Sequence, residues 1–263
     1  MPTAHVNGQA IAYEDTGGDH PAIVFSHGLM MDRTMFTPQI DALRDRWRCI
    51  AWDERGHGGT AGAAPAPFTY YDSADDLAAL LDHLGIGRAV LAGMSQGGFL
   101  SLRCALTHPG VVRALVLIDT QAGVEDPSRL PLYHQLVERW IEHDLPGDVA
   151  DFVEATILGD GWSGAPAWRA KWKRMKPANL LACMATLSGR DDITGRLGEI
   201  SAPALVIHGD ADAAISLDLA QALTHGLANA KLVVVKGAGH AANLTHPAPV
   251  NAAIVEFLSG LGL

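Results

Sequence analysis

Three side chains able to make a carbonyl react stand far apart in this 263-residue sequence: Ser95, Asp212 and His240. Ser95 lies in Gly93-Met94-Ser95-Gln96-Gly97, a Gly-x-Ser-x-Gly pattern. Glycines flanking a serine suit a sharp strand-to-helix turn that holds the hydroxyl out toward a ligand. Alone, five residues equally describe a glycine-rich turn with an incidental serine. Their position between an apolar strand pattern and a helical one points to a nucleophile. A serine hydroxyl needs a base to take its proton. Among 12 histidines, His240 is the candidate, because it follows the apolar run 232–235 through a short glycine-containing loop. A carboxylate must then orient the imidazole and stabilise its charged form. Asp212, in His208-Gly209-Asp210-Ala211-Asp212 after the apolar run 204–207, fits best. Asp210 is better suited to fixing that turn, and Asp119, after the run 114–118, is the distant rival.

Attack on a carbonyl puts charge on its oxygen, so hydrogen-bond donors must already face it. The backbone N–H of Gln96, directly after the serine, is one candidate donor. The N–H of Leu29, in His27-Gly28-Leu29-Met30, is the other. Met30, Trp140, Trp162 and Trp168 are expected to line an apolar substrate pocket. His27 reads as a brace for the loop of Leu29. Asp53 and Arg55, two apart, could tie their own loop by a charge-assisted bond. Trp168, Trp172 and Met175 share one helical face, with Arg169, Lys173 and Lys176 on another. That pattern describes an amphipathic helix; alternatively, one basic residue binds a substrate carboxylate.

These residues need a frame, and the pattern supplies one. Asn7-Gly8 between 5–6 and 10–13 suits a two-residue hairpin. Short continuous apolar runs at 22–25, 48–52, 89–92, 114–118, 204–207 and 232–235 suit strands buried on both faces of a parallel sheet. Helices are expected at 37–46, 73–84, from 96 to about 107, and from about 248 to 258. In 73–84, Leu77, Leu80, Leu81 and Leu84 share one face, and Ser73 with Asp76 resembles a capping box. The reading is an α/β fold, a mostly parallel sheet with helices on both faces. Ligands in such sheets bind at the carboxyl ends of the strands, where the polar clusters of this chain fall. No convincing strand occurs from 123 to 195, so this stretch is expected to be a helical cap, residues 1–122 and 196–263 forming the core domain. Thr60 to Pro67 reads as a loop.

Net charge is −10, from 19 basic and 29 acidic residues, which argues against nucleic acid as a partner. The three cysteines are widely spaced, with no metal-binding or redox pair, and suit a reducing compartment. No apolar run approaches the roughly 20 residues of a membrane helix, and the N-terminus lacks a signal-peptide pattern. A cytoplasmic protein without a membrane partner is expected.

The pieces FSHGLM, DERGHG, GMSQGG, LVIHGDAD and GAGH, in this order from Phe25 to His240, resemble the α/β-hydrolase fold superfamily. The resemblance implies a helical cap and the chain order Ser, Asp, His. Serine at position 95 is similar to the carboxylesterase, enol-lactonase, carbon–carbon hydrolase and cofactor-free haloperoxidase branch. Dehalogenases and epoxide hydrolases of the fold use aspartate there. HGLM departs from the HGGG loop of lipases, which argues against bulky tertiary-alcohol esters. The expected activity is hydrolysis of small to medium apolar esters through an acyl-enzyme, with no metal or cofactor. Two alternatives stand beside it: a lactonase or carbon–carbon hydrolase acting on an anionic substrate, and a ligand receptor that keeps the fold.

Overall fold

A computed structural model of the protein describes residues 1–60 and 67–262. Most of the expected Thr60–Pro67 loop, residues 61–66, lies outside them. Eight strands form one sheet in the order β1-β2-β4-β3-β5-β6-β7-β8. They are β1 (Thr3–Val6), β2 (Gln9–Asp15), β3 (Ala22–Ser26), β4 (Arg48–Trp52), β5 (Ala89–Met94), β6 (Val112–Ile118), β7 (Ala204–Gly209) and β8 (Ala230–Val235). The first hairpin and the β2–β4 pairing are antiparallel, and all other pairings are parallel. The hairpin turns through Asn7 (φ 46) and Gly8 (φ 75), the positive-φ pair that a two-residue turn demands.

Every residue of β3, β5 and β7 is buried, which explains why these strands are continuous apolar runs rather than alternating ones. Register brings their carboxyl ends level: Ser26 faces Gly93, Met94 faces Ile118, and Ile118 faces Ile207. The nucleophile candidate, the Asp119 carboxyl and the loop of Asp212 therefore leave the sheet along one rim.

The helices outside the β6–β7 connection are α1 (Thr37–Leu43), α2 (Tyr70–His83), α3 (Gln96–Thr107), α8 (Leu217–Gly226), α9 (Ala242–Thr245) and α10 (Pro247–Gly260). Between β6 and β7 run α4 (Leu130–His143), α5 (Gly147–Ile157), α6 (Ala165–Trp172) and α7 (Pro177–Ser188), with no strand among the described residues. α1 ends three residues before the expected 46. α2 begins earlier than expected: Thr69, not Ser73, caps it, in a reciprocal box with Asp72. Ser73 and Asp76 are instead buried inside the helix, and Asp76 pairs with Arg55. Leu77, Leu80 and Leu81 are fully buried, as their spacing predicts; each contributes about 1.5–3 kcal/mol relative to exposure. The short helices α8 and α9 were not among the expected elements. All three cysteines are buried free thiols. Among the described residues, no helix is long and apolar enough to cross a membrane.

Candidate active site

Ser95 sits between β5 and α3 with φ 51 and ψ −116. A non-glycine residue in this region is strained by about 1–3 kcal/mol and persists only where its surroundings fix it. Here they do. The Ser95 N–H donates to the Ile118 carbonyl at 2.9 Å, and its carbonyl accepts from the Thr120 hydroxyl at 2.8 Å. The flanking glycines are steric necessities. A Cβ on Gly93 would strike the Gly97 carbonyl, and one on Gly97 would strike the carbonyl of Ser26 on β3. The strand and helix thus approach too closely for any other residue.

His240, on the loop after β8, has Nε2 at 3.0 Å from Ser95 Oγ and Nδ1 at 2.8 Å from Asp212 Oδ2. With Nδ1–H donated to the carboxylate, Nε2 is free to accept the hydroxyl proton. Asp212 is itself fixed, because its Oδ1 accepts from the N–H groups of Ala214 (2.8 Å) and Ile215 (3.0 Å). Burial would raise the Asp212 pKa, but the His240 charge and hydrogen bond hold it below the usual carboxylate range. Burial likewise pulls His240 down, and the Asp212 charge, with Asp119 and Glu125 further off, leaves it raised above 6.5.

The rival carboxyl does a different job. Asp119 accepts from Gly209 N–H through Oδ1 and from Ala242 N–H through Oδ2, both at 2.9 Å. It is a strut between the ends of β6 and β7 and the loop carrying His240. Burial, then the Asp212 charge, drives its pKa well above the usual range. Asp210 binds Gly237 N–H at 2.6 Å and fixes its turn. Asp119, His208 and Asp212 bring one possible metal ligand each within 4.8 Å of one another. All four carboxylate oxygens there already accept N–H groups, so the arrangement is a hydrogen-bonded support for His240.

The N–H groups of Leu29, which lines the same cavity as Ser95, and of Gln96, the residue after Ser95, make no hydrogen bond to the described residues. Their surroundings are tightly held. The Met30 N–H donates to His57 Nε2 at 3.2 Å, and the Met30 carbonyl accepts from Trp172 Nε1 at 3.0 Å. Met30 has φ 61, so its peptide groups need such holding. Lys171 adds bonds to Asp32 Oδ1 (2.9 Å) and Thr34 Oγ1 (2.5 Å), tying α6 to the same loop. Gln96 is anchored through its side chain, whose Nε2 donates to Glu54 Oε2 at 2.5 Å. His27 braces as expected, with Nε2 accepting Glu54 N–H at 3.0 Å. Burial pushes His27 down to about 4 and His57, also beside His27, down to about 3. Both remain neutral acceptors at working pH.

A cavity of about 120 Å³ opens from Ser95 and His240. Met30 and Trp140 line it, but Trp162 and Trp168 do not. Trp168 is buried with the Lys171 ammonium 4.1 Å from its ring centre, and Trp162 packs half-buried against the core. A broad part of the wall comes instead from the faces of α4 (Tyr133, Leu136, Val137, Trp140) and α5 (Val149, Phe152, Val153, Ile157). Both faces follow the i, i+3, i+4, i+7 or i+8 spacing that was there to be read. The basic residues of α6 also lie elsewhere. Arg169 pairs with Asp151 (2.6 Å) and Glu154, and Lys173 with Asp144 (3.5 Å). The expected Asp53–Arg55 tie is not made. Asp53 pairs with Arg33 at 2.6 Å, and Arg55 with Asp76 at 2.5 Å, because these partners meet them from neighbouring elements.

Residues 21–247 match the family model of the alpha/beta hydrolase fold. The chain belongs to the alpha/beta hydrolase fold family. A relative named 2-(acetamidomethylene)succinate hydrolase, from Mesorhizobium japonicum, is 30% identical over 92% of this chain and 89% of its own. The solved structure of a thermophilic esterase from Thermogutta terrifontis superposes with a TM-score of 0.87, is 30% identical, and covers 99% of this chain and 97% of that one. The enol-lactonase of Burkholderia xenovorans LB400 superposes with a TM-score of 0.89 at 26% identity, covering 98% of this chain and 100% of that one. The names of these alpha/beta hydrolases differ in substrate but share hydrolysis of a small molecule.

Proposed function

We propose that this alpha/beta hydrolase is a serine carboxylesterase for small to medium apolar esters. Ser95 attacks the carbonyl while His240 takes its proton, and Asp212 holds the imidazole and stabilises its charge. The N–H groups of Leu29 and Gln96 receive the oxyanion. His240 then protonates the leaving alcohol, and water, activated by the same imidazole, cleaves the acyl-enzyme. The helices α4 to α7 act as a cap that gives the substrate an apolar wall.

The observation that carries this reading is the 3.0 Å approach of His240 Nε2 to Ser95 Oγ, with Nδ1 on Asp212. A receptor has no need of a strained serine held against a base, which weighs against the ligand-receptor alternative. Arg169 and Lys173, paired outside the cavity, do not supply the cation that the anionic-substrate alternative needs, and that alternative now leans on the name of the succinate hydrolase relative. No lysine or arginine is among the described residues lining the cavity. A lactone fits the same chemistry as an open ester, and the enol-lactonase likeness keeps that substrate in view. Rates on p-nitrophenyl acetate and butyrate, beside neutral and carboxylate-bearing lactones, test the proposal. It expects the neutral esters to turn over fastest, with all activity lost in Ser95→Ala. Turnover restricted to carboxylate-bearing substrates would overturn it.

A further inference from the structure

Apart from Ser95 and His240, the described residues lining the cavity include three with a carboxylate or hydroxyl side chain, Glu125, Tyr133 and Thr156. A carboxylate in an apolar wall is costly unless it is paired. Glu125 is paired on one side only. Its Oε2 meets Arg190 Nη1 at 3.0 Å, with the Glu125 side chain 12% exposed, and Oε1 makes no hydrogen bond to the described residues. Arg190 cannot swing away. It donates through Nε to the Gly123 carbonyl (2.9 Å) and through Nη1 to that of Leu187 (3.1 Å), and its guanidinium lies 4.4 Å from the centre of the Phe99 ring. The carboxylate is therefore held in the pocket wall with one acceptor oxygen unused.

We propose that Glu125 is a specificity-determining residue whose Oε1 accepts a hydrogen bond from a neutral N–H or O–H group on the substrate. The preferred substrates are then esters bearing such a donor, an acylamino group for example, rather than purely hydrocarbon ones. Charge selects among the donors. The Arg190 guanidinium offsets part of the carboxylate charge, which reduces the advantage of an ammonium over a neutral donor. A substrate carboxylate would meet the Glu125 oxygen without a cation in the lining. A neutral donor replaces the water that would otherwise solvate Oε1 and forms a bond to a charged acceptor. The charge of Glu125 is also felt at His240, where it contributes to the raised pKa, so the subsite and the reacting centre share one cavity. This inference rests on the esterase reading and narrows its substrate class.

The test uses two matched substrate pairs. One carries the donor on the acyl side, p-nitrophenyl 4-acetamidobutyrate against its N-methyl analogue. The other carries it on the alcohol side, 2-acetamidoethyl butyrate against its N-methyl analogue. In at least one pair the N–H compound should have a kcat/KM about 10–100-fold higher, the range expected for a hydrogen bond to a charged group. Glu125→Leu should bring that ratio close to one. If Glu125→Leu does not fold, because Arg190 is left unpaired, Glu125→Gln should still shrink the ratio, a neutral acceptor being weaker. Ratios near one in both pairs for the unaltered enzyme, or a ratio untouched by both variants, overturn the proposal. Failure to hydrolyse any ester, plain p-nitrophenyl butyrate included, overturns the esterase reading instead.

Discussion

Trp172 donates its indole N–H to the carbonyl of Met30 at 3.0 Å, joining α6 to the loop that carries the Leu29 N–H. Residue 172 thereby bears on the proposed oxyanion donor without being among the described residues that line the cavity. With Lys171 bound to Asp32 and Thr34, this end of α6 is an anchor rather than a swinging lid. Replacing Trp172 by Phe keeps the bulk and removes the bond. We expect kcat on p-nitrophenyl butyrate to fall about 10-fold, with KM changed less than threefold. Complete loss of an oxyanion donor costs about 10²–10³, and here the donor is loosened, not deleted. A rise in KM alone would show that Trp172 shapes only the pocket.

The two aspartates near His240 should separate cleanly. Asp212→Asn should lower kcat by about 10⁴, because the imidazole loses the partner that fixes its tautomer. Asp119→Asn removes one of two strut bonds, to Gly209 or to Ala242. It should lower the melting temperature by several degrees and cost far less than 10⁴ in rate. The reverse pattern would exchange their roles.

The pH profile follows from the sign of the His240 shift. The base must be neutral to accept the serine proton, and its pKa is raised above 6.5. The acid limb of kcat/KM should therefore have its midpoint above pH 6.5. Replacing Glu125 by Gln removes one negative charge that favours the imidazolium, so the midpoint should move to lower pH. A midpoint below 6.5 in the unaltered enzyme would contradict the electrostatics described for the site.

Glu54 sets a stability window. Burial raises its pKa from 4.5 to about 8, so the folded protein keeps a proton that the unfolded chain releases. Its contribution is fully present below pH 4.5 and is lost as pH rises toward 8. Glu54→Gln cannot ionise, so its melting temperature should gain on the unaltered protein between pH 5 and pH 8. Thermal melts across that range measure the difference; an unchanged gap would mean that Glu54 is not held protonated.

The parts legible in the sequence were those fixed by local rules. Fully buried parallel strands are apolar runs, and a close strand–helix approach demands Gly93 and Gly97. The start of α2 is ambiguous in the sequence because two Ser/Thr-x-x-Asp patterns adjoin, Thr69 with Asp72 and Ser73 with Asp76. The choice between them is tertiary: Tyr70 is buried against Phe99, with ring centres 5.4 Å apart, so the helix must already include it. The pocket wall is less legible, because a tryptophan's size does not say whether it packs among helices or lines the cavity. Trp168 is spent inside the helical layer, whereas the periodic faces of α4 and α5 do the lining. Ion-pair partners such as Arg33 for Asp53 and Asp76 for Arg55 are 20 or more residues distant, and no spacing rule reveals them.

The central claim is that the Ser95 oxygen forms the bond to the acyl group. Rapid mixing with p-nitrophenyl butyrate, followed by acid quench and peptide mass measurement, tests it most directly. A burst of p-nitrophenol close to one per enzyme is predicted, together with a butyryl mass on the peptide containing Ser95, and neither should occur in Ser95→Ala. Butyrylation at another residue, or undiminished turnover in Ser95→Ala, would contradict the account.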